Sequence, residues 1–269
     1  MVALAYPSPL AYQSVIRNQN TAMTYHPFSL YGQARPGRWC VTCDHATNFV
    51  PAEVNGGSLG LPAAEMARHI AFDPGAAGVT LALAEALNGP AICSNFSRLV
   101  IDPNRGEDDP TLLMKLYDGT IIPGNRAAGP EELDRRKTLC YRPYHDALTA
   151  LLASRAAPVL CSIHSFTPKL KGRPARPWQI GVLHSHVDPV LAHALIARLR
   201  QESDLVVGDN EPYGGHLPGD AVDRHALQHG RPNVLIELRQ DLIETEAQQA
   251  AWAKRLAPML EDALATTGL

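Results

Sequence analysis

Two kinds of apolar pattern alternate along the chain. Short runs rich in β-branched residues predict strands at Trp39–Cys43, Ala91–Ser94, Arg98–Ile101, Val159–Ile163, Ile180–His184, Leu205–Val207 and Val234–Leu238. Longer stretches with helical spacing predict helices at Pro62–Phe72, Gly75–Leu87, Pro130–Ser154, Pro189–Glu202, Ala221–His229 and Thr245–Leu264. Asp73-Pro74 and Asp188-Pro189 each set a capping residue before a proline suited to a first helical turn. Strands that alternate with helices imply an α/β fold, a three-layer arrangement whose central, mostly parallel sheet carries helices on both faces. Pro7 and Pro9 interrupt the N-terminal apolar stretch, so residues 1–38 read as an irregular arm and 39–269 as one α/β domain. No internal repeat or low-complexity linker divides it. Lys169–Pro177 reads as a loop, and Asp102–Gly129 as a long one of the kind that carries function.

Polar residues capable of chemistry collect where the predicted strands end: Asp44-His45, Asp102 to Arg105, His164, Asp209 to Glu211, and Glu237 to Asp241. Open α/β sheets bind ligands beyond the carboxyl ends of their strands. These five ends therefore read as one site seen in pieces.

Composition narrows the partners. The 269 residues carry a formal net charge of -3 without a basic block, which gives no electrostatic reason to expect nucleic acid or an anionic membrane. No apolar run is long enough to span a bilayer, and the stretch before Val15 lacks the basic start of a signal peptide. Five scattered cysteines point to a reducing, cytoplasmic setting. Cys40 and Cys43 form a CxxC with no second pair at similar spacing, so they read as small buried residues on a strand.

His45 and His164, each delivered by a strand end, suit a catalytic zinc, which takes three protein ligands and keeps a position for water. The third ligand falls to Asp73, at a helix start, or to Glu53, eight residues beyond His45. Arg98 and Arg105 bracket a short apolar run with Asp102 and Asn104. Arginine's planar fork grips a carboxylate, Asn104 can donate or accept beside it, and Asp102 can hold Arg98 or Arg105 in place. Glu237 lies inside an apolar strand, where partial burial raises a carboxyl pKa toward that of a useful general base. Tyr213, in the turn after Asp209, can close over a ligand. His184 and His186 form an HxH that reads as surface, because it runs into the helix start at Asp188. There is no Walker loop or GxGxxG to support a P-loop protein or a dinucleotide-binding one.

Five segments in order resemble the N-formylglutamate amidohydrolase family: Cys43–Glu53, Ser97–Arg105, His164–Pro168, Val207–Tyr213 and Asn233–Asp241. They span the chain from Trp39 to about Trp252. The resemblance implies a fold similar to that of the zinc carboxypeptidases and aspartoacylase-type deacylases. It also implies one Zn2+ held by His45, His164 and a third residue, for which Asp73 is preferred over Glu53. Arg98 would then polarise the scissile carbonyl, Asn104 and Arg105 would bind the substrate carboxylate, and Glu237 would act as general base. Tyr213 and Arg239, which lie inside the matched segments, join the expected substrate-binding set. The peptidases carry HxxE in the first motif, whereas this chain has Asn48 at the matching position. The expected activity is zinc-dependent hydrolysis of a small N-acyl amino acid such as N-formylglutamate. Two alternatives stand beside it: a deacylase or small peptidase for another carboxylate-bearing amide, and a metal-free carboxylate-binding protein.

Overall fold

A computed structural model describes residues 25–269. Strands β1 (Phe28–Tyr31) and β2 (Trp39–Cys43) are followed by helices α1 (Ala63–Met66) and α2 (Ala76–Ala86) and then by β3 (Ala91–Ser94). A two-stranded hairpin, β4 (Leu116–Tyr117) and β5 (Thr120–Ile121), follows. Helix α3 (Pro130–Arg136) runs through a π-helical segment, Lys137–Tyr141, into α4 (Arg142–Ala153). Then come β6 (Val159–Phe166), β7 (Ile180–Leu183), α5 (Val190–Leu199), β8 (Val207–Asp209), α6 (Ala221–His225), β9 (Asn233–Arg239) and α7 (Glu246–Thr267).

Seven strands form one mixed sheet in the order β1-β3-β2-β6-β9-β7-β8. The block β3-β2-β6-β9 is parallel. The strand β1 joins it antiparallel at one edge, while β7 and β8 run parallel to each other and antiparallel to β9. Every residue of β6 is buried, as expected for a central strand covered on both faces. One apolar core lies between the sheet and α2, α5 and α7, and includes Val41, Cys43, Val79, Leu195, Val234 and Leu260. A second core occupies the other face, with Cys40, Ile92, Phe96, Leu99, Tyr144, Leu148 and Leu235. This is the three-layer α/β architecture expected from the alternation of elements.

Several local expectations are corrected. The arm was expected to be irregular over residues 1–38. Residues 1–24 lie outside the described part, and Phe28–Tyr31 forms the edge strand β1. Arg98–Ile101 makes no strand. Its apolar residues are fully buried as irregular chain, tied by Arg98 N–H to the Ala71 carbonyl and by Asp102 N–H to that of Leu112. Burial, not a ladder, explains its composition. The helix expected over Pro62–Phe72 shrinks to the four residues of α1 and gives way to turns.

Two glycines position the site. Gly75 (φ +80°) caps α2, and a Cβ there would lie 2.3 Å from the Ile243 carbonyl oxygen. Asp73 is thereby released from capping duty. Gly181 lets the chain after β8 fold back over the sheet, since a Cβ on it would meet the Glu211 carbonyl oxygen at 2.1 Å. That close approach carries the 211–215 turn across the face from which Glu237 projects.

Candidate active site

The carboxyl ends of β2 and β6 deliver His45 and His164 to the same place, their ring centroids 4.9 Å apart. Between them lies Asp73. One of its oxygens, Oδ2, stands 3.2 Å from His45 Nδ1 and 2.8 Å from His164 Nδ1. All three residues are buried, and each offers a ligand atom within 4.8 Å of the other two. Ligands of a tetrahedral zinc at about 2.0–2.1 Å would stand about 3.3 Å apart, so this spacing needs little adjustment to hold an ion. Glu53 is exposed at a different surface depression, which leaves Asp73 as the third residue of the cluster. Asn48 does not join it: its Nδ2 donates to the Met66 carbonyl.

Each imidazole has a carboxylate behind it. His45 Nε2 lies 2.7 Å from Asp102 Oδ1, and Asp102 Oδ2 accepts from Arg98 Nε and Nη2 at 3.1 and 2.8 Å. His164 Nε2 faces Asp44 Oδ2 at 3.5 Å, while Tyr144 OH donates to the other oxygen of Asp44. Such outer carboxylates orient metal-binding histidines and set which nitrogen faces the ion. Burial opposes ionisation of Asp102, but the Arg98 guanidinium beside it, with help from His45, holds its carboxyl well below the usual range. The same contest is won by His164 and Tyr144 at Asp44, and by the two histidines at Asp73. For His164, burial disfavours the charged ring, yet Asp44 and Asp73 together lift its pKa well above the ordinary value.

Glu237 projects from β9 as the register partner of His164 on β6. It is 7% exposed, and its Oε2 has no hydrogen-bond partner. Burial pushes its carboxyl up to about 7, an effect that Asp73 reinforces and the His164 charge partly offsets. It pairs with neither Arg105 nor Arg239. An orphaned carboxylate oxygen beside a His-Asp-His triangle is a proton acceptor without a structural task.

A cavity of about 330 Å³ opens over these groups. Arg98, Asn104, Arg105, Tyr213, His45, Asp73, His164 and Glu237 all line it. Asn104 Oδ1 accepts from Ala221 N–H at 3.3 Å, so the group Asn104 has left to offer a ligand is its amide donor. Arg105 is steadied by Thr111 Oγ1 and the Asn104 carbonyl. Tyr213, 42% exposed, stands at the rim, where Arg176 lies 5.0 Å from its ring centroid and donates to its hydroxyl. Arg239 does not line the cavity. Its guanidinium is spent on Asp241 and on the carbonyls of Arg176, Pro177 and Trp178, so its expected place in the substrate site is withdrawn.

The strand-end reasoning also fails for Asp209 to Glu211. Because β7 and β8 oppose β9, their carboxyl ends point to the other end of the sheet, and Asp209 to Glu211 do not line the cavity, although Leu183 and the turn at 213–215 do. Sequence reasoning missed His69, Tyr117 and Asp220, all cavity-lining. Tyr117 is carried by the β4–β5 hairpin to a ring–guanidinium distance of 5.3 Å from Arg98. It missed the role of Tyr144 as well, whose only signal is a buried position on an amphipathic helix. Asp44 was picked out as a strand-end residue, but its place behind His164 was not. Cys40 and Cys43 are buried in the two different cores, which suits packing and separates the two thiols.

Comparison with known proteins gives a family match over residues 37–244, to the model described as N-formylglutamate amidohydrolase. Among solved structures, a gene product of Agrobacterium tumefaciens is 35% identical with a TM-score of 0.84, covering 90% of this chain and 96% of that one. The N-formylglutamate amidohydrolase of Ralstonia eutropha is 23% identical with a TM-score of 0.63, covering 90% of this chain and 97% of that one, a likeness of fold. No match is found among curated proteins. No helix among the described residues is long and apolar enough to cross a membrane.

Proposed function

The chain belongs to the N-formylglutamate amidohydrolase family, and from that premise we propose that it is a zinc-dependent amidohydrolase. Its substrate would be an amino acid bearing a formyl or similarly small acyl group on nitrogen, N-formylglutamate being the first to test. The observation that carries this reading is the buried triangle of His45, Asp73 and His164 with Glu237 beside it under one cavity. A divalent ion held by those three residues supplies Lewis acidity and a lowered pKa for water.

The chain's own groups do the rest. Glu237, with a carboxyl near 7, takes a proton from the attacking water. The water oxygen adds to the carbonyl carbon, and the C–N bond breaks as Glu237 returns the proton to the leaving nitrogen. Formate, or the corresponding small acid, and the free amino acid result. Arg98 is held rigid by Asp102 and offers positive charge to the oxygen that becomes anionic. Arg105 and the amide donor of Asn104 orient the substrate carboxylate. Tyr213 covers the open side.

One feature favours a second reading of the substrate. Asp220 lines the same cavity, and burial raises its carboxyl to about 6. Ionised at neutral pH, it would repel a second carboxylate, which favours an N-acyl amino acid with a neutral or cationic side chain.

The test is the metal content of the purified protein, with hydrolysis of N-formyl-L-glutamate and of a panel of N-formyl amino acids followed through chelation and refilling. Activity lost with the metal and restored by zinc supports the proposal, and the panel ranks the side chains. A protein that takes up no metal and hydrolyses none of the panel refutes it.

A further inference from the structure

A second group of metal-binding side chains lies on the far edge of the sheet. His184 follows β7, Asp209 ends β8, and His193 lies in the second turn of α5. Each offers a ligand atom within 4.8 Å of the others. His184 Nε2 stands 2.9 Å from Asp209 Oδ1, and the His184 and His193 rings meet edge to face with centroids 4.6 Å apart.

The arrangement is built from the register of the edge strands. Val182 pairs with Asp209 across β7 and β8, so His184, two residues on, shares its face of the sheet. Helix α5 covers that face, with Leu195 and Val182 in the same core, and brings His193 over it. Asn210 Oδ1 accepts from the His184 backbone N–H at 2.8 Å and fixes the turn, while its Nδ2 lies 3.3 Å from His184 Nε2. The His184 side chain is only 11% exposed, and its Nδ1 is buried without a hydrogen-bond partner. Arg200 approaches the other oxygen of Asp209 at 3.4 Å.

We propose that His184, His193 and Asp209 form a second binding site for a divalent transition-metal ion, separate from the catalytic cavity. Two imidazoles and one carboxylate favour zinc, nickel or copper over magnesium or calcium, which prefer all-oxygen shells. The two sites lie on opposite faces of β7: Leu183 lines the cavity, whereas Val182 and His184 turn to the α5 side. A bound ion would join α5 to the β7–β8 edge. Its role is that of a clamp or a metal-responsive brace across that edge.

The test titrates zinc into the chelator-stripped full chain against a chromophoric competitor, with melting temperature read in parallel. His193→Ala and Asp209→Asn, both changed at exposed residues, are each expected to lose one bound equivalent relative to the unaltered chain. They should also lose the rise in melting temperature that this equivalent produces. His164→Ala is expected to keep that equivalent, whatever the cavity binds. Zinc stoichiometry and melting behaviour unchanged in both His193→Ala and Asp209→Asn would overturn the proposal. Loss of all binding in His164→Ala would overturn it too, and neither result would bear on whether the cavity is catalytic.

Discussion

His164 and Glu237 stand opposite each other across the parallel pair of β6 and β9. One is a member of the His45–Asp73–His164 triangle and the other an unpaired buried carboxyl, held in step by strand hydrogen bonds rather than by a loop. Exchange of Glu237 for Gln keeps shape and removes the proton acceptor. kcat is expected to fall about 10²–10⁴-fold with zinc stoichiometry unchanged. Full activity in the Gln variant would end the assignment of Glu237 as base.

The same residue gives a pH signature in the metal-free protein. Its folded pKa, about 7, lies above the ordinary 4.5. Stability linked to it is therefore fully present below 4.5 and is lost as pH rises through 7. Glu237→Gln should match the parent chain at low pH and exceed it above pH 7 by on the order of 3 kcal/mol. Urea unfolding of the stripped proteins at both ends of this range checks the sign.

Zinc uptake should release protons. Asp44 and Asp73 hold the pKa of His164 well above its ordinary value, so an ion binding at Nδ1 must compete with a proton. Affinity is expected to rise steadily with pH across the neutral range. Calorimetry in two buffers of different ionisation enthalpy measures the protons displaced, and a buffer-independent heat would contradict the ion pair.

Tyr144→Phe leaves the ring, which meets Phe96 edge-on at 6.3 Å, but removes the hydroxyl that donates to Asp44. The abandoned carboxylate oxygen should cost about 1–3 kcal/mol of stability. Through His164, zinc affinity should drop about 10–100-fold. Competition with a chelator of known affinity reads this directly.

Arg105→Ala is expected to raise KM about 10-fold or more with a smaller change in kcat, because a charge-assisted hydrogen bond to the substrate is worth about 1.5–3 kcal/mol. An equal loss for substrates with and without a free α-carboxylate would remove Arg105 from that role.

Most of the layer architecture was legible because strand and helix periods differ: β2, β3, β6, β9, α2, α5 and α7 fall where the apolar pattern places them. The pattern reports burial, so it misread Leu99-Val100-Ile101, which is buried without pairing. It was also blind to strand direction. That is why Asp209 was assigned to the wrong end of the sheet. Among site residues, His45, Asp73, His164, Arg98, Asn104, Arg105, Tyr213 and Glu237 do meet in one cavity. Arg239 does not, because its guanidinium can reach the carbonyls of the 176–178 loop, a contact no local pattern announces. Tyr144 comes from a distant helix, and only the packed structure sets its hydroxyl against Asp44.

The outer carboxylates have an effect beyond tuning. Asp44, Asp73 and Asp102 are buried together; Arg98 stands among them as a counter-charge, and Asp44 and Asp73 raise the pKa of the His164 ring between them. Were the proposed ion to leave, a proton would take over its share of the neutralisation, and the pocket need not collapse or flood. Starved of zinc, such a protein would persist as a standing stock of folded, idle molecules, ready to work as soon as metal returns, with no new synthesis required.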